Sequence, residues 1–305
     1  MTIETLFKNL KKTVSYQEHE NSYFYEELGK KIEGCFSNQS YHSGTSIDLI
    51  YYGDMTMLKS YYELTTGLNE ENFTGLADAF LYNFAALAII PKNKEDRKQL
   101  LLTSVDMCHR MLGIFTCLSS QEAKIAFEHF LNVIDSDIQE YNVILYKNTL
   151  FSEVFILYDL LTDNNSSVLL NKYIGDTPIH PTYKNFLSLI YSNDEDAINR
   201  SIDEMVEYHL MQCRNDSYQR EFYSRTWRFI PVEIWVFLRL RVIKGKGIHF
   251  VQNRMIKKSL PFLMKEKYEL SQPAQNLKEV VYKNYVSNEV EPTAKRCSSP
   301  NHYKQ

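Results

Sequence analysis

The stretch RTWRFIPVEIWVFLRLRVIKGKGIHFV, residues 225–251, holds both tryptophans of the chain and decides how the chain folds. Pro231 suits the first turn of a helix, where the N–H that proline lacks is not needed. The run that follows, Val232–Ile243, is apolar on most sides, which is typical of a helix enclosed between layers. We therefore expect a buried helix that begins next to Pro231.

Two glycines mark the end of this helix. Gly245 and Gly247 offer backbone positions with positive φ, and Lys244 can place a cation beside the last carbonyls. The following residues, 247–251 (GIHFV), are the best candidate in the chain for a short strand. After them, SLPFL at 259–263 predicts a further helical turn led by proline.

Helical periodicity covers most of the remaining chain. The segments RKQLLLTSVDMCHRMLGIF (97–115), NTLFSEVFILYDLLTDNN (148–165) and PTYKNFLSLIYSND (181–194) all fit a helix. In AINRSIDEMVEYHLMQC (197–213) the apolar side chains form one stripe and the acidic side chains face away from it. Ser119 and Glu122 have the spacing of a capping box, which predicts a helix start.

These patterns predict an all-α fold of stacked antiparallel helical hairpins, with at most one short strand or hairpin near 247–251. Two similar segments, LIYYGDMTML (49–58) and LIYSNDEDAI (189–198), each fit a helix end, a break and an Asp N-cap on the next helix. The breaks are expected at Gly53 and Asn193. A weak internal duplication and a common helix-turn-helix pattern that arose twice both remain open.

The turn-rich segment DNNSSVLLNKYIGDTPIHP, residues 163–181, is the best place to divide the chain. It separates an N-terminal helical half (1–165) from a C-terminal helical half (175–270) packed on it. Residues 271–305 are expected to form a C-terminal helix and a polar tail. Because no flexible linker lies between the halves, we do not expect them to be independent.

Charge argues against a general nucleic-acid binder, because the 305 residues carry a net charge of -4. The charge is nevertheless uneven. Residues 214–267 hold 13 Lys and Arg against 4 Asp and Glu, whereas the rest of the chain holds 21 against 34. This unevenness fits either solvated helix faces or a polarised molecule with a binding face.

Cysteine usage and the N-terminal segment both favour a cytoplasmic protein. The 5 cysteines include no CxxC pair, and their odd number fits neither a disulfide framework nor a zinc cluster. Residues 1–20 have no apolar core and no cleavage site of a secretory signal. The most apolar segment, ADAFLYNFAALAII (77–90), is shorter than the roughly 20 residues that cross a bilayer, so we expect a buried helix and no membrane partner.

Motifs of catalysis are missing from the sequence. It contains no HExxH, no GxSxG and no phosphate-binding glycine loop. The sequence therefore predicts no enzyme, no cofactor and no metal site. A metal site built from distant histidines, or a hydrolase using two distant carboxylates, would leave no sequence signature and stays an alternative. His209, at the edge of its helix's apolar stripe, fits a core or boundary histidine better than a metal ligand.

The C-terminal order of elements resembles the immunity protein 49 family, all-helical antitoxins found beside bacterial polymorphic toxins. An acidic helix ending near a histidine matches SNDEDAINRSIDEMVEYH (192–209), and a Pro-led apolar helix with its glycine matches IPVEIWVFLRLRVIKGKG (230–247). The short extended segment of the family pattern matches IHFV (248–251). The Leu-Pro pair that ends the pattern matches SLPFL (259–263). The resemblance covers 191–263, and the N-terminal half matches only as a generic helical region.

This resemblance implies a bacterial, cytoplasmic antitoxin that binds and occludes one cognate toxin and has no catalysis of its own. A helical nucleic-acid-binding protein and a general protein-interaction scaffold are the alternatives. The first candidate surface for the toxin is acidic and would suit a basic partner: Asp194, Glu195, Asp196, Asp203, Glu204 and Glu207. The second combines arginines with aromatic residues, which suit either a protein interface or nucleic acid: Arg214, Tyr218, Arg220, Tyr223, Arg225, Trp227 and Arg228.

Overall fold

The computed structural model describes residues 1–37, 43–67, 71–89, 104–145, 149–162, 179–213, 220–222, 224 and 226–286. Within these ranges the chain forms twelve α-helices. They are α1 (Ile3–His19), α2 (Ser22–Ser37), α3 (Ser43–Thr66), α4 (Glu71–Ala88), α5 (Ser104–Cys117), α6 (Ser120–Leu145), α7 (Thr149–Thr162), α8 (Pro181–Leu189), α9 (Glu195–Gln212), α10 (Val232–Ile243), α11 (Leu260–Leu263) and α12 (Gln272–Val281). A 3₁₀ turn at Lys257–Ser259 precedes α11, and a π-helical turn at Tyr282–Val286 follows α12.

The all-α fold class is confirmed. No residue in the described ranges belongs to a strand, and the best strand candidate, 247–251, contains a turn at 249–250 instead. The predicted helices at 148–165, 181–194 and 197–213 correspond to α7, α8 and α9. The predicted helix at 97–115 corresponds to α5, and its residues 97–103 lie outside the described ranges.

Helices α3 and α4 form an antiparallel hairpin. The Ser46 hydroxyl, near the start of α3, donates to the carbonyl of Ala86 near the end of α4 at 2.9 Å. Ser60, near the end of α3, lies so close to Gly75 that a Cβ on the glycine would be 2.2 Å from the serine Oγ. Almost all of α4 after Leu76 is buried, as expected for its apolar sequence. In the described part of the chain, no helix is both long and apolar enough to span a membrane.

The two similar segments have different structures. Residues 49–58 lie inside α3, which runs through Gly53 unbroken, so the break predicted there is wrong. Gly53 is instead a close-packing position, because a Cβ on it would lie 3.2 Å from the carbonyl oxygen of Ala79 on α4. The second segment behaves as expected, since α8 ends at Leu189 and Asp194 caps α9.

Helix α10 lies in the core, as its sequence predicts. Every residue from Val232 to Leu240 is buried, and the helix contacts α5, α7 and α9. The Trp235 ring meets Tyr61 edge-on, with 5.5 Å between the ring centroids, and lies 5.7 Å from Phe262. Ile243, at the last turn, is the exception and is half exposed.

The end of α10 is a Schellman motif. Gly245 has a φ of 73°, its N–H donates to the carbonyl of Val242 at 3.0 Å, and the Lys246 N–H donates to the carbonyl of Arg241 at 2.8 Å. The positive φ predicted for Gly245 is therefore confirmed. The positive φ predicted for Gly247 is wrong, because one left-handed residue already satisfies the free carbonyls.

Two arginines of α10 are buried, and their guanidinium groups donate to backbone carbonyls of this chain. Arg239 donates to the carbonyl of Leu263 at 3.0 Å, and it also lies over the Tyr268 ring at 5.2 Å. Arg241 donates to four carbonyl oxygens, those of Leu189, Ile190, Ser192 and Gly247, over 2.7 to 3.3 Å. The excess of basic residues in 214–267 therefore overstates how basic the surface is.

Two local predictions are confirmed: the capping box at Ser119 and Glu122, and the Pro-led helical turn at SLPFL (259–263). At the start of α6, the Ser119 N–H donates to Glu122 at 3.0 Å and the Glu122 N–H donates back to the serine oxygen at 3.4 Å, which is a capping box. SLPFL forms α11 with Pro261 in its first turn. The predicted division at 163–181 and the predicted polar tail lie mostly outside the described residues.

Candidate functional site

Helix α9 carries the first candidate surface and is built to expose it. The Asp194 side chain accepts the N–H of Ala197 at 2.9 Å, which caps the helix. Ile198, Ile202 and Met205 are buried and fix one side of the helix against the core. Because the apolar stripe faces inward, the acidic residues between its members must face solvent.

All six acidic residues that the sequence singles out are exposed on the edge and outer side of α9. We call them the acidic face: Asp194, Glu195, Asp196, Asp203, Glu204 and Glu207. Arg200, also exposed, is the one basic residue of α9 apart from the buried His209. The structure thus brings the six carboxylates together on a single element, at the surface where a basic partner can reach them.

Neighbouring segments hold this helix in place. The Arg241 guanidinium donates to the carbonyls of Leu189 and Ile190 at the end of α8, and these bonds fix the turn that leads into α9. On the other side, the Gln252 N–H donates to Asn199 at 3.0 Å, and the Asn253 amide donates to the Asp203 carboxylate at 2.7 Å. The Asp203 charge is not cancelled by this neutral amide, so the acidic face keeps its charge while its position is fixed.

Two exposed apolar side chains lie at the ends of the acidic face. Tyr191, in the turn before α9, is 57% exposed, and Met211, in its last turn, is 62% exposed. Large exposed side chains of this kind are what protein interfaces bury at their centres. Neither residue is among the site residues that the sequence predicts. Met211 falls off the apolar stripe of α9, and that offset is the sequence signal that could have identified it.

A buried ion pair lies under α9. His209 Nδ1 is 2.7 Å from Glu233 Oε1 on α10, and His209 Nε2 is 2.9 Å from the carbonyl oxygen of Arg228. Burial disfavours the charged imidazole, but Cys213 and the Glu233 carboxylate outweigh it and raise the pKa of His209 well above its ordinary value. An imidazolium that donates from both nitrogens fits these two acceptors, so His209 ties α9 to α10 and is the core histidine that its stripe position predicts.

A second carboxyl group, Glu153 on α7, lies in the same buried region. Its side chain is fully buried, and in the described part of the chain neither of its oxygens has a hydrogen-bond partner. Burial, with the nearby charges of Glu233 and Glu221, raises the pKa of Glu153 well above its ordinary value. Nothing in the sequence around Glu153 distinguishes this carboxyl from the exposed ones.

Three of the seven residues of the second candidate surface are described, and none of the three is fully exposed: Arg220, Trp227 and Arg228. Trp227 is fully buried, and its ring lies 5.3 Å from the Arg110 guanidinium, which in turn binds Asp54 at 2.7 and 3.1 Å. Including Trp227 in an interface was wrong, because the ring completes the core between α3 and α5. Phe222 and Phe229 of the same segment are buried as well.

The arginines of this segment have mixed positions. Arg228 is half-buried, its Nε donates to the carbonyl of Ser224 at 3.1 Å, and its guanidinium lies over the Phe229 ring. Arg220 is half-buried too. The remaining four predicted residues lie outside the described ranges: Arg214, Tyr218, Tyr223 and Arg225. The three described members of the set, one buried and two half-buried, do not form an exposed face among themselves.

Across the described ranges, no three His, Cys, Asp and Glu side chains are arranged to hold a metal ion. The buried thiols are poorly suited to nucleophilic chemistry, because burial raises the pKa of Cys108 and of Cys117. Comparison with known proteins finds no protein-family model, no curated protein and no solved structure that matches this chain.

Proposed function

We propose that this protein is an immunity protein, an antitoxin that binds a basic toxin through the acidic face and blocks it without catalysis. The observation that carries the proposal is the exposure of all six carboxylates on α9 and at its N-cap. The resemblance of residues 191–263 to the immunity protein 49 family supports the same role, because its acidic helix is α9.

Three features of the acidic face suit rapid and specific binding. Its dense negative charge attracts a basic partner and raises the rate of encounter. Tyr191 and Met211 supply apolar anchors at its two ends. The hydrogen bonds from Arg241 and Asn253 hold the helix in position before binding, which lowers the entropy lost on association.

The alternative of nucleic-acid binding has less support. It depends on aromatic rings that stack on bases, and the described aromatics of 220–229 are buried. Their burial leaves the acidic face as the better candidate surface, and a negative surface repels phosphate.

The test is co-expression of the tagged protein with the product of the adjacent gene, followed by purification and a growth assay. We expect a salt-sensitive complex and relief of the neighbour's toxicity. The triple variant Asp196→Lys/Glu204→Lys/Glu207→Lys changes three exposed residues and should weaken binding by about 100-fold or more while the fold is kept.

A matched control shows whether binding depends on the acidic face itself or only on the net charge of the protein. Glu20→Lys/Glu269→Lys/Glu279→Lys makes the same charge change at exposed positions on other parts of the chain and should bind the toxin normally. Equal affinity of both triple variants would remove the acidic face as the binding site. Absence of any complex, together with retardation of RNA or DNA at moderate salt, would favour the nucleic-acid alternative.

A further inference from the structure

The molecule has a cleft between α2, α3, α4 and α12, and none of its lining residues belongs to the acidic face. Its volume is about 480 Å³, within the range of small-molecule sites. Four aromatic rings line it, those of Tyr25, Phe36, Tyr52 and Tyr82. We call it the tyrosine cleft. No part of the proposed toxin-binding function uses it.

The tyrosines of the cleft are packed in a definite order. The rings of Tyr25 and Tyr52 stack with centroids 4.6 Å apart, and Tyr82 meets Tyr52 edge-on at 5.0 Å. The hydroxyl of Tyr25 lies 2.9 Å from the Thr56 hydroxyl, which fixes the outer ring. Gly29 allows this arrangement, because a Cβ there would lie 3.3 Å from the Tyr52 ring. The walls of the cleft are therefore preformed.

The charge of the cleft is negative. Asp78 and Glu33 line it, and no lysine, arginine or histidine is among the described residues of its lining. Asp78 is only 7% exposed, and it accepts the N–H of Ser271 at 3.0 Å. No cationic side chain in the described ranges pairs with this carboxylate, and burial raises its pKa. A nearly buried carboxylate with no cationic side chain beside it, in a cleft lined by aromatic rings, has the chemistry to bind a cationic ligand.

Glu33 adds a second, exposed carboxylate at the same place. Burial is the main cause that raises the pKa of the Tyr82 phenol, and the charges of Asp78 and then of Glu33 contribute to it. Glu33, Asp78 and Tyr82 all line the same cleft. An ammonium group in the cleft would lie among side chains that include these two carboxylates, and the carbon atoms of the ligand would lie against the aromatic rings and against Leu277 and Val280 of α12.

We propose that the tyrosine cleft binds a small alkylammonium compound, with its ammonium group beside Asp78 and Glu33 and its carbon skeleton against the tyrosine rings. Aromatic rings with carboxylates recognise such cations because the ring faces are negative and the carboxylates supply full charges. This site is independent of the acidic face, so either proposal can fail without the other.

The experiment is isothermal titration calorimetry of the full chain with choline, putrescine and spermidine. The neutral isostere of choline, 3,3-dimethylbutan-1-ol, is the matched ligand control. We expect at least one of the three cations to bind, and choline to bind about tenfold more tightly than its isostere. No binding of any cation at about 10 mM, or equal binding of choline and its isostere, would overturn the proposal.

Two variants locate the binding. Asp78→Asn keeps an oxygen that can accept the Ser271 N–H but removes the charge, and should weaken cation binding by about tenfold. Glu279→Gln removes the same charge from α12 outside the cleft and should leave binding unchanged. If Asp78→Asn fails to fold, Glu33→Gln, at the exposed carboxylate, becomes the test, and it should weaken cation binding by about threefold. Unchanged affinity in the folded variant refutes the site.

Discussion

Replacing Glu153 with methionine should stabilise the protein, and the gain should grow as the pH rises. Glu153 is fully buried on α7 and both of its oxygens lack hydrogen-bond partners in the described ranges. Methionine has a similar volume and no polar group, so it removes the penalty of an unpartnered buried carboxyl, about 1–3 kcal/mol. That part of the gain does not depend on pH.

The pH-dependent part follows from the raised pKa of Glu153. Above the ordinary glutamate pKa the unfolded chain loses this proton while the folded protein keeps it. Folding then takes up a proton, so stability falls as the pH rises, by about 1.4 kcal/mol per pH unit while Glu153 stays protonated in the folded state. The loss ends when the pH passes the folded-state pKa. Between pH 5 and pH 7 the group can therefore cost up to about 2.7 kcal/mol.

The assay is urea unfolding at pH 5, 6 and 7, followed by the fluorescence of the buried tryptophans. Glu153→Met and Glu153→Gln should both flatten the fall of unfolding free energy with pH, since both remove the titrating group. Glu207→Gln, at an exposed carboxylate on α9, should keep the wild-type slope. The reasoning is refuted if the curves of Glu153→Met and the wild type stay parallel across this range.

Three further substitutions test the packing, each by the urea unfolding midpoint. Arg241→Met leaves four backbone carbonyls without the guanidinium that donates to them and should lower the free energy of unfolding by about 2–4 kcal/mol. Arg241→Lys should recover little of this loss, because lysine lacks the planar guanidinium with its several N–H donors. Near-native stability of Arg241→Met would contradict the role of Arg241 in holding these carbonyls. Gly113→Ala places a Cβ 2.3 Å from the Phe80 ring and should cost about 1–3 kcal/mol, whereas a stabilised variant would show that the ring has room to move. Gly245→Ala forces a side chain into a φ of 73° with open space around it and should cost about 1 kcal/mol from backbone strain alone, so an unchanged midpoint would count against the Schellman end of α10.

Much of the fold was predictable because helices are specified by local patterns. The apolar run after Pro231, the stripe of α9 and the capping box of α6 each depend on residues within a few positions of one another. The same locality misled the prediction at Gly53. A glycine next to an aspartate resembles a helix break in sequence, but its role is to let α4 approach α3, which no local pattern reveals.

The candidate site divides in the same way. The exposure of the acidic face follows from the stripe on the other side of α9, so the sequence was sufficient to predict it. Trp227 was misassigned because arginines and aromatics compose both interfaces and cores, and only packing against Arg110 distinguishes the two. The tyrosine cleft joins residues that are up to about 250 positions apart, and no spacing signals it.

The order of apolar and polar residues was enough to establish an all-helical chain, the buried α10 and the solvent-facing side of α9, since each depends on interactions between near neighbours. Tertiary packing alone placed Glu153 and the His209–Glu233 pair in the core, buried Trp227, and placed Asp78 in a cleft that has no cationic side chain among its described lining residues. The reason is physical. Desolvation and the pKa of a charged group depend on every element that surrounds it, and those elements come from distant parts of the chain.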